Sequence, residues 1–158
     1  MFRRIGLLAV GVILATGYAV PFAAAGQLHV EIVPKGFQHD FWKQVSLGCS
    51  EAGGEFGASV NFVGPESESD IGVQQRQIAQ AIAKNPDALC IAALSPETAI
   101  ELVYQAADAG IPVVTFDSDI GDGVDDEVQA FVATDNRDAG AAAAQAMYDA
   151  VKERIAYA

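Results

Sequence analysis

Apolar and polar residues follow two rhythms along this chain, and they alternate. Leu28–Val33 (LHVEIV) sets apolar residues at every second position, the period of a strand. From Asp40 to about Phe56 the period changes. Phe41, Val45, Gly48, Cys49, Ala52 and Phe56 recur at helical spacing and predict one inward stripe, with Gly57 as the stop. Ser59–Gly64 (SVNFVG) reads as a second strand. A second helix runs to about Lys84, with Ile71, Gln75, Ile78, Ala79 and Ile82 in its stripe and Ser69 or Asp70 as its cap. Ala88–Leu94 (ALCIAAL) is almost wholly apolar, as a central parallel strand covered on both faces should be. Ser95 then caps a third helix, with Pro96 in its first turn and Glu97 at its positive end; it stops at Gly110. Val113–Ser118 and Val128–Thr134 are further strands, separated by an acidic loop. The Ala-rich segment from Asp138 favours helix strongly.

Strands alternating with helices predict right-handed βαβ units. The fold class expected is α/β, a doubly wound parallel sheet of about five strands with helices on both faces. In such sheets ligands lie beyond the carboxyl ends of the strands, where the strand order switches. The segments to read for function are therefore PKGFQHDFW, GPESESD, ALSPET, FDSDIGDG and ATDNRDAG.

The first residues have a different character. Arg3 and Arg4 precede the apolar run IGLLAVGVILATGYAV, and Ala23, Ala24 and Ala25 supply the small residues a signal peptidase reads. Residues 1–25 are expected to be a signal peptide cleaved near Ala25, with no Cys directly after the cleavage point to carry a lipid anchor. The 158-residue chain has a net charge of −12. Loss of a leader with two Arg and no acid makes the remainder more acidic still. That surface repels nucleic acid and anionic membranes, so neither is an expected partner. The composition supports one ordinary core. The two cysteines, Cys49 on the first helix and Cys90 in the third strand, match no metal spacing. They read as two buried free thiols, with a disulfide as the alternative that export permits.

No catalytic residue, metal site or cofactor emerges from the loops. The first loop has one Gly and no phosphate-cradling pattern, and no G-x-S-x-G elbow is present. The acids at 117, 119, 122, 125, 126 and 127 are hard oxygen donors. However, an EF-hand order counted from Asp117 would need Gly and Glu where Asp122 and Val128 stand. The loop reads as a solvated one. Asp117 is set apart because it ends a buried strand, where a carboxylate needs donors. The hydroxyls of a sugar or polyol are such donors, and they form charge-assisted bonds to it. Sugars also stack their C–H faces on flat rings. Phe41 is expected in the core, and Trp42, turned about 100° away, is expected to face the cleft. His39 or Gln38 is placed to hydrogen-bond a hydroxyl.

Three segments, PKGFQHDFWKQVSLG, GIPVVTFDSDI and FVATDNRDAG, together resemble the exported sugar-binding proteins of bacterial ABC transporters, the periplasmic type that includes ribose-binding protein. The resemblance implies a flavodoxin-like lobe of a type I periplasmic binding protein. It implies that Phe41 and Trp42 clamp a sugar ring, that His39 hydrogen-bonds the ligand and that Asp117 accepts hydroxyls. Ser118 stands where the ribose-binding pattern has Arg. The implied partners are a sugar or polyol and the transporter permease in the inner membrane, with the protein in the periplasm and not itself an enzyme. Family members are about twice as long, with two lobes that close on the ligand. Residues 26–136 correspond to the first lobe, and residues 137–158 to a truncated helix that would open the second. That helix is expected to pack back on the sheet through Ala143, Met147 and Val151. Two other readings use the same layer: a periplasmic signalling receptor, for chemotaxis or autoinducer-2, and a small exported flavodoxin-like enzyme.

Overall fold

The computed structural model describes residues 26–156; the expected signal peptide lies outside the described residues. Five strands form one parallel sheet: β1 (His29–Val33), β2 (Ser59–Phe62), β3 (Ala88–Ile91), β4 (Val113–Phe116) and β5 (Val128–Val132). Their spatial order is β2-β1-β3-β4-β5, and every neighbouring pair is parallel. Four helices accompany them: α1 (Asp40–Phe56), α2 (Ile71–Ala83), α3 (Pro96–Asp108) and α4 (Asn136–Ala156). The expected doubly wound α/β layer is therefore present, and the order reverses between β1 and β3 as a switch point requires.

The strand register sorts the side chains by face. Glu31, Leu89 and Val113 form one row, and Val33, Ile91 and Thr115 the next. These rows meet α2 and α3, and the buried cluster of Val33, Ile78, Leu89, Ile91, Val103 and Val113 fills the space between them. The opposite face carries Ile32, Cys90, Val114 and Phe116, and α1 lies there. The backbones of α1 and β2 approach closely at Gly53, where an added Cβ would stand 2.7 Å from a methyl of Val60. Gly57, with φ of +67°, ends α1 as expected of a left-handed stop.

Two predicted stripes are rotated. In α1 the inward residues are Trp42, Val45, Ser46, Cys49, Ala52 and Gly53, while Phe41 and Phe56 are exposed. The Gly53 contact sets the roll of the helix, and that roll turns Trp42 in and Phe41 out. In α2 the buried residues are Gln74, Ile78 and Ala81, whereas Ile71 is exposed. Ser95 and Asp70 occupy the cap positions, but their side chains do not cap. The Ser95 hydroxyl donates to Glu97 Oε2 instead, at 2.9 Å.

The expectation for α4 is also corrected. Residues 129–150 are all exposed, and Met147 is 65% exposed rather than packed on the sheet. The physical reason is that α4 has helix propensity without an apolar face. Its alanines favour the helix, but their side chains bury too little surface to hold it against β5. Asp135 Oδ1 caps it, accepting from the backbone N–H of Arg137 at 3.0 Å and of Asp138 at 2.9 Å.

One polar group inside the layer escaped the sequence reading. Glu31 is only 2% exposed. Lys84 Nζ donates to both of its oxygens at 2.9 and 3.0 Å, Asn61 Nδ2 to one at 2.8 Å, and His29 Nε2 to the other at 2.7 Å. Burial alone would raise the Glu31 carboxyl, but the hydrogen bonds from Lys84, Asn61 and His29 outweigh it and hold the group below its usual 4.5. A depressed carboxyl stabilises the fold above that value and loses its contribution as pH falls through the folded pKa. Glu31→Ala should cost about 2 kcal/mol near pH 7, measured by urea unfolding. The gap between variant and parent should narrow as the pH is taken below 4.5. A gap that does not change with pH would contradict the ionised network.

Candidate functional site at the carboxyl ends of the strands

The loops after β1, β2 and β4 converge at one end of the sheet. Their positions depend on a buried amide in α2. Gln74 Nε2 donates to the carbonyls of Pro34 at 2.9 Å and Ala92 at 2.8 Å, and its Oε1 accepts from Leu94 N at 2.8 Å. The loops that leave β1 and β3 are thus joined across the switch point. Gln77 Nε2 donates to Gly64 O at 3.0 Å and holds the loop after β2. Gly64 lies so close to Pro34 that a Cβ would stand 2.6 Å from its ring, so the two loops pack together only with glycine there.

A cavity of about 260 Å³ opens above these loops, lined by Lys35, His39, Phe41, Trp42, Glu68 and Asp117. Four of the five residues expected at the site, His39, Phe41, Trp42 and Asp117, therefore share it. The fifth, Ser118, joins through Lys35, whose Nζ donates to Ser118 Oγ and stands 2.8 Å from Asp117 Oδ2. Ser118 Oγ also faces Asp117 Oδ2 at 3.4 Å. Asp117 has φ of +62°, a left-handed conformation in which Asp is among the better tolerated side chains. It reverses the chain at the end of β4, in the turn that sets its carboxylate beside Lys35.

The aromatic pair differs from the sequence expectation. Trp42 is 2% exposed and Phe41 is 52% exposed. Trp42 Nε1 donates to Glu68 Oε1 at 2.7 Å, which satisfies the indole while it forms the inner wall. Its ring meets Phe41 edge-on at 4.8 Å and Phe116 at 6.3 Å between centroids. Phe41 is thus the open ring of the pair. His39 is exposed at the start of α1 and makes no side-chain cap bond. The sequence reading missed Lys35 and Glu68. Both sit in strand-end loops already singled out, but their roles depend on contacts across 82 and 26 residues (Lys35 with Asp117, Glu68 with Trp42), which no local pattern displays.

The cavity combines an open ring, a fixed cation and two carboxylates. It offers both donors and acceptors to a polar ligand and an apolar surface to its carbon skeleton. A parallel lobe with such a cavity at its switch-point end defines a ligand-binding α/β domain. Residues 30–158 match the family described as Periplasmic binding protein domain, and the chain belongs to that family. It is similar to the ABC transporter periplasmic-binding protein YphF of Escherichia coli K12, 27% identical over 96 residues that cover 60% of this chain and 29% of YphF. Among solved structures it is similar to an ABC transporter, LacI family transcriptional regulator from Brachyspira murdochii. That pair is 40% identical with a TM-score of 0.73, covering 82% of this chain and 41% of the other. It is also similar to an ABC transporter solute-binding protein from Agrobacterium vitis with bound D-fucose. There the identity is 35% and the TM-score 0.70, covering 78% of this chain and 43% of that one. The chain spans less than half the length of each of these relatives.

The two aromatics should behave differently when truncated. Trp42→Ala should destabilise the fold by about 3–5 kcal/mol, because it empties a buried site. Phe41→Ala should change stability by no more than about 0.5 kcal/mol. Trp42 is the single tryptophan of the chain, so its fluorescence reports on this wall directly. Resistance to acrylamide quenching in the parent is expected, and ready quenching would contradict the buried indole.

Proposed function

We propose that this chain is the first lobe of the substrate-binding component of an ABC-type sugar importer, and that its strand-end cavity is half of a site for a monosaccharide or polyol. The observation that carries the reading is the juxtaposition of an open Phe41 ring with the Lys35–Asp117 pair in one cavity. Phe41 stacks on the C–H face of the ring. Asp117 accepts ligand hydroxyls, Lys35 and Ser118 contribute donors, and His39 lies at the rim. Trp42 supports Phe41 from beneath and keeps Glu68 oriented. Family membership and the D-fucose bound by the Agrobacterium vitis relative support a sugar as the ligand class.

In this proposal residues 1–25 direct export and are removed near Ala25, residues 26–136 form the lobe in the periplasm, and α4 leads out of it. The protein partner is the permease in the inner membrane. No cofactor or metal enters the proposal, and binding rather than catalysis is its role. Among the described residues no helix is long and apolar enough to cross a membrane.

A half-site makes only part of the contacts and closes by no hinge, so its affinity is low. Titration of the isolated chain with a panel of aldoses and polyols, followed by NMR shifts, should give dissociation constants of about 1 mM or weaker. Asp117→Asn and Phe41→Ala should each remove the response. Micromolar binding by the monomeric chain would overturn the half-site, and shifts that survive both substitutions would overturn the cavity.

A further inference from the structure

The face of the sheet beneath α1 holds a second, separate feature. Cys49 and Cys90 line one apolar cavity of about 230 Å³, together with Ile32, Val114, Phe116 and Val132. Cys90 pairs with Ile32 on one side and Val114 on the other, so these three side chains leave the sheet toward α1. Cys49 belongs to the inward stripe of α1, one turn from Val45 and two turns from Trp42. Both thiols are free and partly exposed. Burial pushes the Cys90 thiol up to about 11, and negative charge at Cys49 adds to the shift. Burial also raises Cys49. The geometric link between the two is the shared cavity, whose walls they form from the helix side and from the sheet side. Gly48 and Leu47, on the outer side of α1, are exposed, so Cys49 lies on a helix with solvent on its far side.

We propose that Cys49 and Cys90 form a dithiol–disulfide pair that closes reversibly when the protein meets a low-molecular-weight disulfide such as oxidised glutathione. In the first step the Cys49 thiol loses its proton and its sulfur attacks one sulfur of the reagent. A Cys49–glutathione bond forms, and the other half leaves as a thiolate that takes up the proton. In the second step Cys90 loses its proton and attacks the Cys49 sulfur. The Cys49–Cys90 bond forms as the second glutathione leaves and is protonated. Two protein thiols are oxidised and one external disulfide is reduced to two thiols. The bond ties α1 to β3 below Trp42, and so fixes the helix that presents Phe41 to the strand-end cavity.

The test is incubation of the full chain with oxidised glutathione, followed by alkylation, intact mass and peptide mapping. The expected product has no alkylatable thiol, lacks two hydrogens and yields one peptide pair joined through Cys49 and Cys90. The reaction should speed up as the pH is raised, because the thiolate is the nucleophile. Cys90→Ser should stop at a single glutathione adduct on Cys49, whereas Cys49→Ser should acquire an adduct only much more slowly. The oxidised parent should also melt at a higher temperature than the reduced one. Glutathione retained on both cysteines, disulfide-linked dimers, or two thiols that stay alkylatable would each overturn the proposal.

Discussion

The site depends on one buried side chain that never touches it. Gln74 projects from α2 into the switch point and bonds the backbone of the loops leaving β1 and β3. An amide buried without partners would cost about 1–3 kcal/mol. Here three of its hydrogen-bonding positions are filled, all by backbone. The chain directions at Pro34 and Ala92 are therefore set together. Lys35 follows Pro34 directly, so the position of the cation opposite Asp117 is inherited from that stitch. Gly64 and Gln77 bring the loop after β2, with Glu68, into the same frame.

The layer itself is unequal on its two faces. The α2–α3 face carries the closed apolar cluster, while the α1 face is covered by a single helix packed toward β2. Val114 and Phe116 are left half-buried and Val132 exposed. This asymmetry explains why β5 and α4 extend into solvent. It also explains why the thiols of Cys49 and Cys90 border an apolar recess instead of a filled core. Stability is concentrated in one half of the sandwich, with the Glu31–Lys84 network securing the opposite end of β1 and β2.

Most of the layer was legible in the sequence, because the period of apolar residues changes cleanly at each element. α1 begins and ends where the pattern places it, and the loops worth reading were identified. The roll of the helices was not legible. Phe41 and Trp42 are adjacent, both apolar, and either can serve as the core residue. The choice is made by Gly53 against Val60 and by Glu68 accepting the indole N–H, both contacts between elements. Gln74 and Glu31 were missed for the same reason: a polar residue inside an apolar layer shows its value only through partners distant in sequence. The outward course of α4 was missed because Ala content predicts a helix without predicting what it packs on.

The central claim is that a ligand is received at the strand ends, between Phe41 and the Lys35–Asp117 pair. Hydrogen–deuterium exchange, with and without a high concentration of the tightest-binding monosaccharide of a panel, tests it most directly. The account predicts added protection confined to residues 34–42, 66–69 and 116–119, with α3 and the opposite end of the sheet unchanged. Protection spread evenly over the lobe, or concentrated away from these three loops, would contradict it.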